Sequence, residues 1–201
     1  MRKLLLIVLA LSFALTISAQ GVRFGVKAGG NLSNLTLKED GTKDDSFKAR
    51  FGFHFGGVME YSFSPGFALQ PELMLLFNGT NEDGGNGYMN FTQIQVPINF
   101  KYKVGTDALK FFVTAGPYLG YALSGRLGSG GVSIDIYSDE VKALMGGTFK
   151  RFDFGVGAGI GVEVSKVAFG LNYQYGIANL TDVNKTTAKM GTFLFSVAYF
   201  F

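Results

Sequence analysis

The chain has 201 residues, enough for one domain and marginal for two, with 29 Gly, 21 Phe and only 16% charged residues. Ordinary globular domains carry roughly 25% charge, and few Pro with many aromatic, β-branched and Gly residues favour strands over helices. The absence of Cys excludes disulfides and a lipid-modified N-terminal cysteine, and the near balance of basic and acidic residues excludes a nucleic-acid-binding charge pattern.

The segment MRKLLLIVLALSFALTISAQ has two basic residues, an apolar run from Leu4 to Leu15, and then small residues. That is the layout of a secretory signal peptide. The apolar run is shorter than the roughly 20 residues that a helical span needs, which disfavours a retained membrane anchor. Residues 1–20 are therefore expected to be a signal peptide, cleaved after Ala19 or Gln20. Residues 21–201 are expected to form one domain. Without Arg2 and Lys3 that domain is nearly neutral.

No stretch beyond residue 20 has a clear helical period, whereas eight have period two. On a strand, successive side chains point to opposite faces. In VRFGVKAGGNL, Val22, Phe24, Val26 and Ala28 oppose Arg23, Lys27 and Asn31. In RFGFHFGGVMEYSF, Phe51, Phe53, Phe55, Met59, Tyr61 and Phe63 oppose His54, Glu60 and Ser62. FALQPELMLLF sets Phe67, Leu69, Leu73, Leu75 and Phe77 against Gln70 and Glu72. TQIQVPINFKYKV sets Ile94, Val96, Ile98, Phe100 and Tyr102 against Gln93, Gln95, Asn99, Lys101 and Lys103. The fifth stretch, LKFFVTAGPYLGYAL, has the least polar second face, with Lys110, Thr114, Gly116, Tyr118 and Gly120. RFDFGVGAGIGVEV opposes its Phe, Val and Ile residues to Asp153, alternate glycines and Glu163. KVAFGLNYQYGI and the closing FLFSVAYFF keep the same alternation.

The connections alternate in length. Ser33–Ala49, Gly79–Asn90, Gly125–Lys150 and Ala178–Lys189 are long, while Phe63–Gly66, Gly105–Ala108 and Ser165–Lys166 are tight. This predicts an all-β, eight-stranded antiparallel up-and-down meander with both ends at the short-turn side. A soluble barrel would have to enclose the bulky aromatic face, and an eight-stranded interior is only just wide enough for side chains. Inverting the barrel sends Phe, Leu and Val into lipid and leaves Gly and polar residues for the lumen. That is the transmembrane β-barrel pattern, and closure satisfies every backbone group within the bilayer.

FGVKAGGNLSNL (Phe24–Leu35), FALQPELMLL (Phe67–Leu76), IQVPINFKY (Ile94–Tyr102), GPYLGY (Gly116–Tyr121) and DFGVGAGIGVEV (Asp153–Val164) occur in this order along the chain. Together they resemble the PorT-like outer-membrane β-barrel proteins of Bacteroidetes. The resemblance implies a Gram-negative outer membrane, Sec-dependent export, periplasmic termini and no accepted catalytic motif. PorT itself is associated with a protein-secretion system. FLFSVAYFF also resembles the C-terminal signature that the barrel-assembly machinery reads.

The inward charges are Arg23, Lys27, Lys101 and Lys103 against Glu60, Glu72, Asp153 and Glu163. Opposite charges in a narrow lumen are expected to pair, because an unpaired buried charge is costly. They form either a structural plug or the lining of a small pore for ions or solutes. His54 is the single His, so a lipid-modifying enzyme, which needs Ser, His and an acid together, is the weakest reading. No metal or cofactor is expected, because Glu39, Asp40, Asp44 and Asp45 lack EF-hand spacing. GVGAGIG repeats Gly every second residue with no helix after it, so it is not a phosphate loop. Tyr88 and Tyr137, in otherwise polar loops, are the candidate contacts for an unidentified protein partner. The function read from sequence is a non-enzymatic outer-membrane scaffold, serving adhesion, envelope integrity or assembly and secretion. Its remaining expected partner is outer-membrane lipid.

Overall fold

The structure is a computed structural model that describes residues 21–39, 42–44, 47–85, 87–106, 108–145, 149–183 and 186–201. The expected signal peptide and the loop carboxylates Asp40 and Asp45 lie outside these residues. Eight long strands form the wall: β1 (Val22–Glu39), β3 (Phe47–Ser62), β4 (Phe67–Glu82), β5 (Tyr88–Gly105), β6 (Leu109–Ser129), β8 (Phe152–Val164), β9 (Val167–Gly176) and β10 (Thr186–Phe200). Each pairs antiparallel with the next, and β10 pairs with β1 from Gly25↔Phe200 to Glu39↔Thr186, which closes the ring. Two short strands, β2 (Thr42–Asp44) and β7 (Val132–Asp135), extend β1 and β6 as hairpins at the long-loop end. The up-and-down barrel expected from the alternation is the fold found.

The outward face is apolar on every strand. Phe51, Phe53, Phe55, Phe100, Phe111, Ile160, Phe169 and Phe195 are each about half exposed or more. Soluble monomers rarely expose contiguous apolar patches beyond a few hundred Å². On β9 the band runs from Val167 to Ile177. At ~3.3 Å per residue and a tilt of ~40°, that is about 25 Å, the height of the apolar band of membrane barrels. No helix among the described residues is long and apolar enough to cross a membrane; crossing is by strands.

Two sequence expectations need correction at the long-loop end. Most of Gly79–Asn90 is strand, because β4 and β5 remain paired out to Asn81↔Tyr88. Tyr88 therefore opens a strand instead of sitting in a loop. The Gly125–Lys150 connection contains a short helix, α1 (Asp139–Met145), that no periodicity signalled. Ser138 starts it by accepting the Val141 amide on its hydroxyl, and seven residues are too few for a 3.6-residue pattern to register. Above the bilayer neither face must be apolar, so alternation fades there while backbone pairing continues.

Two β-bulges alter the side-chain parity. In β3 the register with β4 shifts between Ala49 and Phe53. In β6 the register with β5 shifts at Leu123, with Thr92 opposite Ser124 and Gln93 opposite Ala122. Below the second bulge even-numbered residues of β6 point inward; above it Arg126 lies on the outer face beside Asn90, and Leu127 turns inward. A bulge inserts one unpaired residue, so every later side chain changes face.

Candidate functional site

Among the described residues the lumen concentrates the buried polar side chains, and seven of the eight predicted lumen charges form one network. Glu60, fully buried, lies at its centre. It accepts from Arg23 Nε at 2.9 Å, Lys101 Nζ at 2.8 Å and Lys103 Nζ at 2.5 Å. Arg23 also grips Glu163 with both terminal nitrogens, at 2.7 and 2.6 Å. Such two-point contact fixes orientation as well as charge. Lys101 continues to Gln70 Oε1 at 3.1 Å, and Gln70 donates to Glu72 at 2.6 Å. Glu72 takes Lys27 Nζ at 2.9 Å and Asn99 Nδ2 at 3.3 Å. Two aromatic rings complete the group: Arg23 stacks 3.9 Å from the centroid of Phe200, and Lys101 sits 4.2 Å from that of Phe112.

Asp153 does not join this network. It accepts from Tyr118 Oη at 3.1 Å, nearer the long-loop end, and its Oδ1 meets no hydrogen-bond partner among the described residues. Strand position explains the separation. Asp153 begins β8 whereas Glu163 ends it, ten residues further along the wall.

His54 is buried on the lumen face, with Nε2 2.9 Å from Ser196 Oγ and Nδ1 unpartnered. A nucleophile–base pair needs a third group to orient the base, and none does so here among the described residues. No group of three metal-ligating side chains occurs among those residues either.

A second seal, absent from the sequence reading, fills the long-loop mouth. Leu35, Met89, Phe91, Ala188 and Met190 from the wall pack with Ile136, Phe149 and Leu180 from the connections. The connections are tied down by backbone bonds: Ile136 N to Gly125 O at 3.1 Å, Lys150 N to Leu180 O at 2.8 Å, and Leu180 N to Ala188 O at 2.9 Å. Asn179 shapes the last connection by accepting the Ala188 amide at 2.8 Å and donating to Thr186 O at 3.2 Å. Tyr137, the other candidate loop contact, packs against this stopper, and the Arg151 guanidinium lies 3.9 Å from its ring centroid. Burial pushes its hydroxyl up to about 12. Arg151 in turn donates to the carbonyls of Ala122 and Leu123, both at 3.1 Å. Tyr137 is thus half-enclosed and engaged, not a free surface ring.

Each seal contains a small cavity. One beside Gln70, Glu72 and Lys101 in the plug and another beside Asp153 and Phe149 at the stopper each hold about 20 Å³, room for a single water. Sequence reasoning also missed a repair in the wall. Where β3 bulges away from β4, Asn31 donates to Phe77 O at 3.3 Å, and Ser33 bonds both the N–H and the C=O of Gly79 at 2.8 Å. Side chains of β1 thereby replace ladder bonds that the bulge removes. The one available signal was Asn31 on the inward face of the first strand.

Comparison with known proteins agrees with this geometry. Residues 18–182 match the outer membrane protein beta-barrel domain family. No curated protein sequence matches the chain. Among solved structures, the outer membrane protein OprG from Pseudomonas aeruginosa has 16% identity and a TM-score of 0.53, with 90% of this chain and 96% of that one covered. Ail, the attachment invasion locus protein of Yersinia pestis, solved with a heparin analogue, has 18% identity and a TM-score of 0.47, covering 90% of this chain and 100% of that one. The outer membrane enzyme PagL has 12% identity and a TM-score of 0.44, covering 84% of this chain and 98% of that one. At 16% identity the likeness to OprG speaks to fold alone.

Proposed function

Because the chain belongs to the outer membrane protein beta-barrel domain family, we propose that it is a closed, non-enzymatic scaffold of the outer membrane that acts through its long-loop end. The observation that carries this reading is the double seal. An ion-paired plug fills the short-turn half, an apolar stopper fills the long-loop mouth, and a cavity within each of them, among the described residues, is water-sized. Hydrated ions have no path through such a lumen without unpacking one seal. The His54–Ser196 pair lies inside the sealed lumen, out of reach of a lipid or peptide substrate.

In this reading residues 1–20 are a Sec signal peptide, the termini and short turns face the periplasm, and the barrel-assembly machinery inserts the chain through its closing strand. The five quoted stretches from Phe24 to Val164 support a PorT-like member, and adhesion, envelope integrity or assembly with a secretion partner are the roles open to such a scaffold. The test is conductance of the refolded barrel in a planar bilayer, after a gel mobility shift confirms folding. Silence is the expected result. Steady unitary steps would overturn the closed-scaffold reading and turn Glu60 and Lys101 into a selectivity filter.

A further inference from the structure

Both β-bulges deliver an arginine to the same place on the outer wall. Arg50 belongs to the β3 bulge and Arg126 follows the β6 bulge. Unbulged strands would send both even-numbered side chains into the lumen, as they do His54 and Phe112. Instead Arg50 crosses the outside of β4, with Nη1 2.6 Å from Asn81 Oδ1 and its guanidinium 4.8 Å from the centroid of Tyr88. The floor beneath it is Gly79, where a Cβ would lie 2.8 Å from Arg50 Cδ and 2.9 Å from Asn90 Oδ1. Register then runs Gly79↔Asn90↔Arg126 across adjacent strands. At ~4.8 Å per strand, this row spans about 10 Å from β4 to β6.

Neither guanidinium has a carboxylate in ion-pair contact among the described residues, and Arg126 makes no side-chain hydrogen bond there. Asp135 stands opposite Arg126 in the hairpin, but its Oδ1 accepts the Tyr137 amide. Lys48, nearby on the same face, is paired with Asp83 at 2.5 Å. Immediately below the row the apolar band begins, with Phe51 exposed and Phe53 stacked on Phe77 at 4.3 Å. The patch is cationic above and aromatic below, at the level where hydrocarbon meets headgroup.

We propose that Arg50 and Arg126, with Asn90 between them, form a headgroup site for a phosphate-bearing membrane lipid whose acyl chains lie on Phe51, Phe53 and Phe77. Phosphate suits two guanidiniums that have no carboxylate partner among the described residues, since it offers several strong acceptor oxygens. A bilayer lipid also satisfies both halves of the patch, which a free anion does not. The inference rests only on the barrel spanning a bilayer. It is independent of whether the lumen conducts, so a conducting barrel would leave it standing.

The test is native mass spectrometry of the refolded barrel with diphosphoryl lipid A as the probe. Arg50→Gln/Arg126→Gln is expected to weaken retention roughly tenfold or more, while Lys48→Gln leaves it unchanged. Folding of each variant is checked by gel mobility shift. If the double variant does not fold, Arg126→Gln carries the test with a smaller loss, because that side chain makes no hydrogen bond or ion pair among the described residues. Equal retention by the variants, or equal binding of the same lipid with its phosphates removed, would overturn the proposal. Displacement of the lipid by an equal concentration of inorganic pyrophosphate would mark a free-phosphate site and overturn the lipid assignment.

Discussion

Glu60→Ala is the sharpest test of the lumen. Glu60 and Glu163 together face Arg23, Lys101 and Lys103, so this part of the plug already holds three cations against two carboxylates. Removing Glu60 leaves one carboxylate for all three. Lys101 is the critical partner, because its side chain is 1% exposed and cannot turn to water. Losing one member of a buried pair costs about 3–5 kcal/mol, since the stranded charge keeps its desolvation penalty without its attraction. The exposed Lys48–Asp83 pair is the internal control, with side chains 65% and 44% exposed. Lys48→Ala is expected to cost less than ~1 kcal/mol, because water screens that pair. The measurement is urea unfolding in phosphatidylcholine vesicles, followed by the mobility difference between folded and unfolded barrel. Adding Lys101→Met to Glu60→Ala is expected to restore a large part of the loss, because the stranded charge is then removed as well. A Glu60→Ala loss no larger than that of Lys48→Ala would refute the plug as a source of stability. So would a Lys101→Met addition that makes matters worse.

Other outcomes follow from the same geometry. Gly29→Ala is expected to block closure between β1 and β10, because a Cβ there would collide with the Phe195 backbone oxygen; the readout is loss of the folded band after refolding. Tyr137 has its hydroxyl pushed up to about 12 by burial, against an ordinary value of 10.0. The neutral form is favoured when folded, so its contribution is intact below pH 10 and is lost as pH rises toward 12. Wild-type stopper packing is therefore expected to weaken in that window, and Tyr137→Phe is expected to remove the effect. Hydrogen exchange of the 136–149 segment at pH 9 and pH 11 reads this, and identical profiles for the two proteins would refute it.

How much of this could be read beforehand follows from where the bilayer acts. Within the band one face of each strand must meet hydrocarbon, so Phe51, Phe53, Phe55 and their counterparts alternate strictly with His54, Glu60 and the glycines. Strand number, closure and the inward set were legible from that constraint alone. Above the band, water accepts either face, so the strand extensions to Glu39, Glu82 and Ser129 and the helix at Asp139–Met145 left no periodic trace.

The pairing inside the lumen is a different matter. Sequence places Arg23, Lys101, Glu60 and Glu163 on inward faces, but shear and closure decide which of them meet. Arg23 and Glu163 are 140 residues apart and touch only because the ring brings β8 across the lumen from β1. The same holds for the stopper, whose Ile136, Phe149 and Leu180 look like ordinary loop residues until three connections converge on one mouth. The bulges at Arg50 and Leu123 add one residue to one strand and invert everything beyond it, which alternation read from a single strand cannot reveal. Local alternation belongs to each strand by itself and was determined by the sequence. Contacts across the barrel depend on register between strands, and only the closed tertiary structure sets that register.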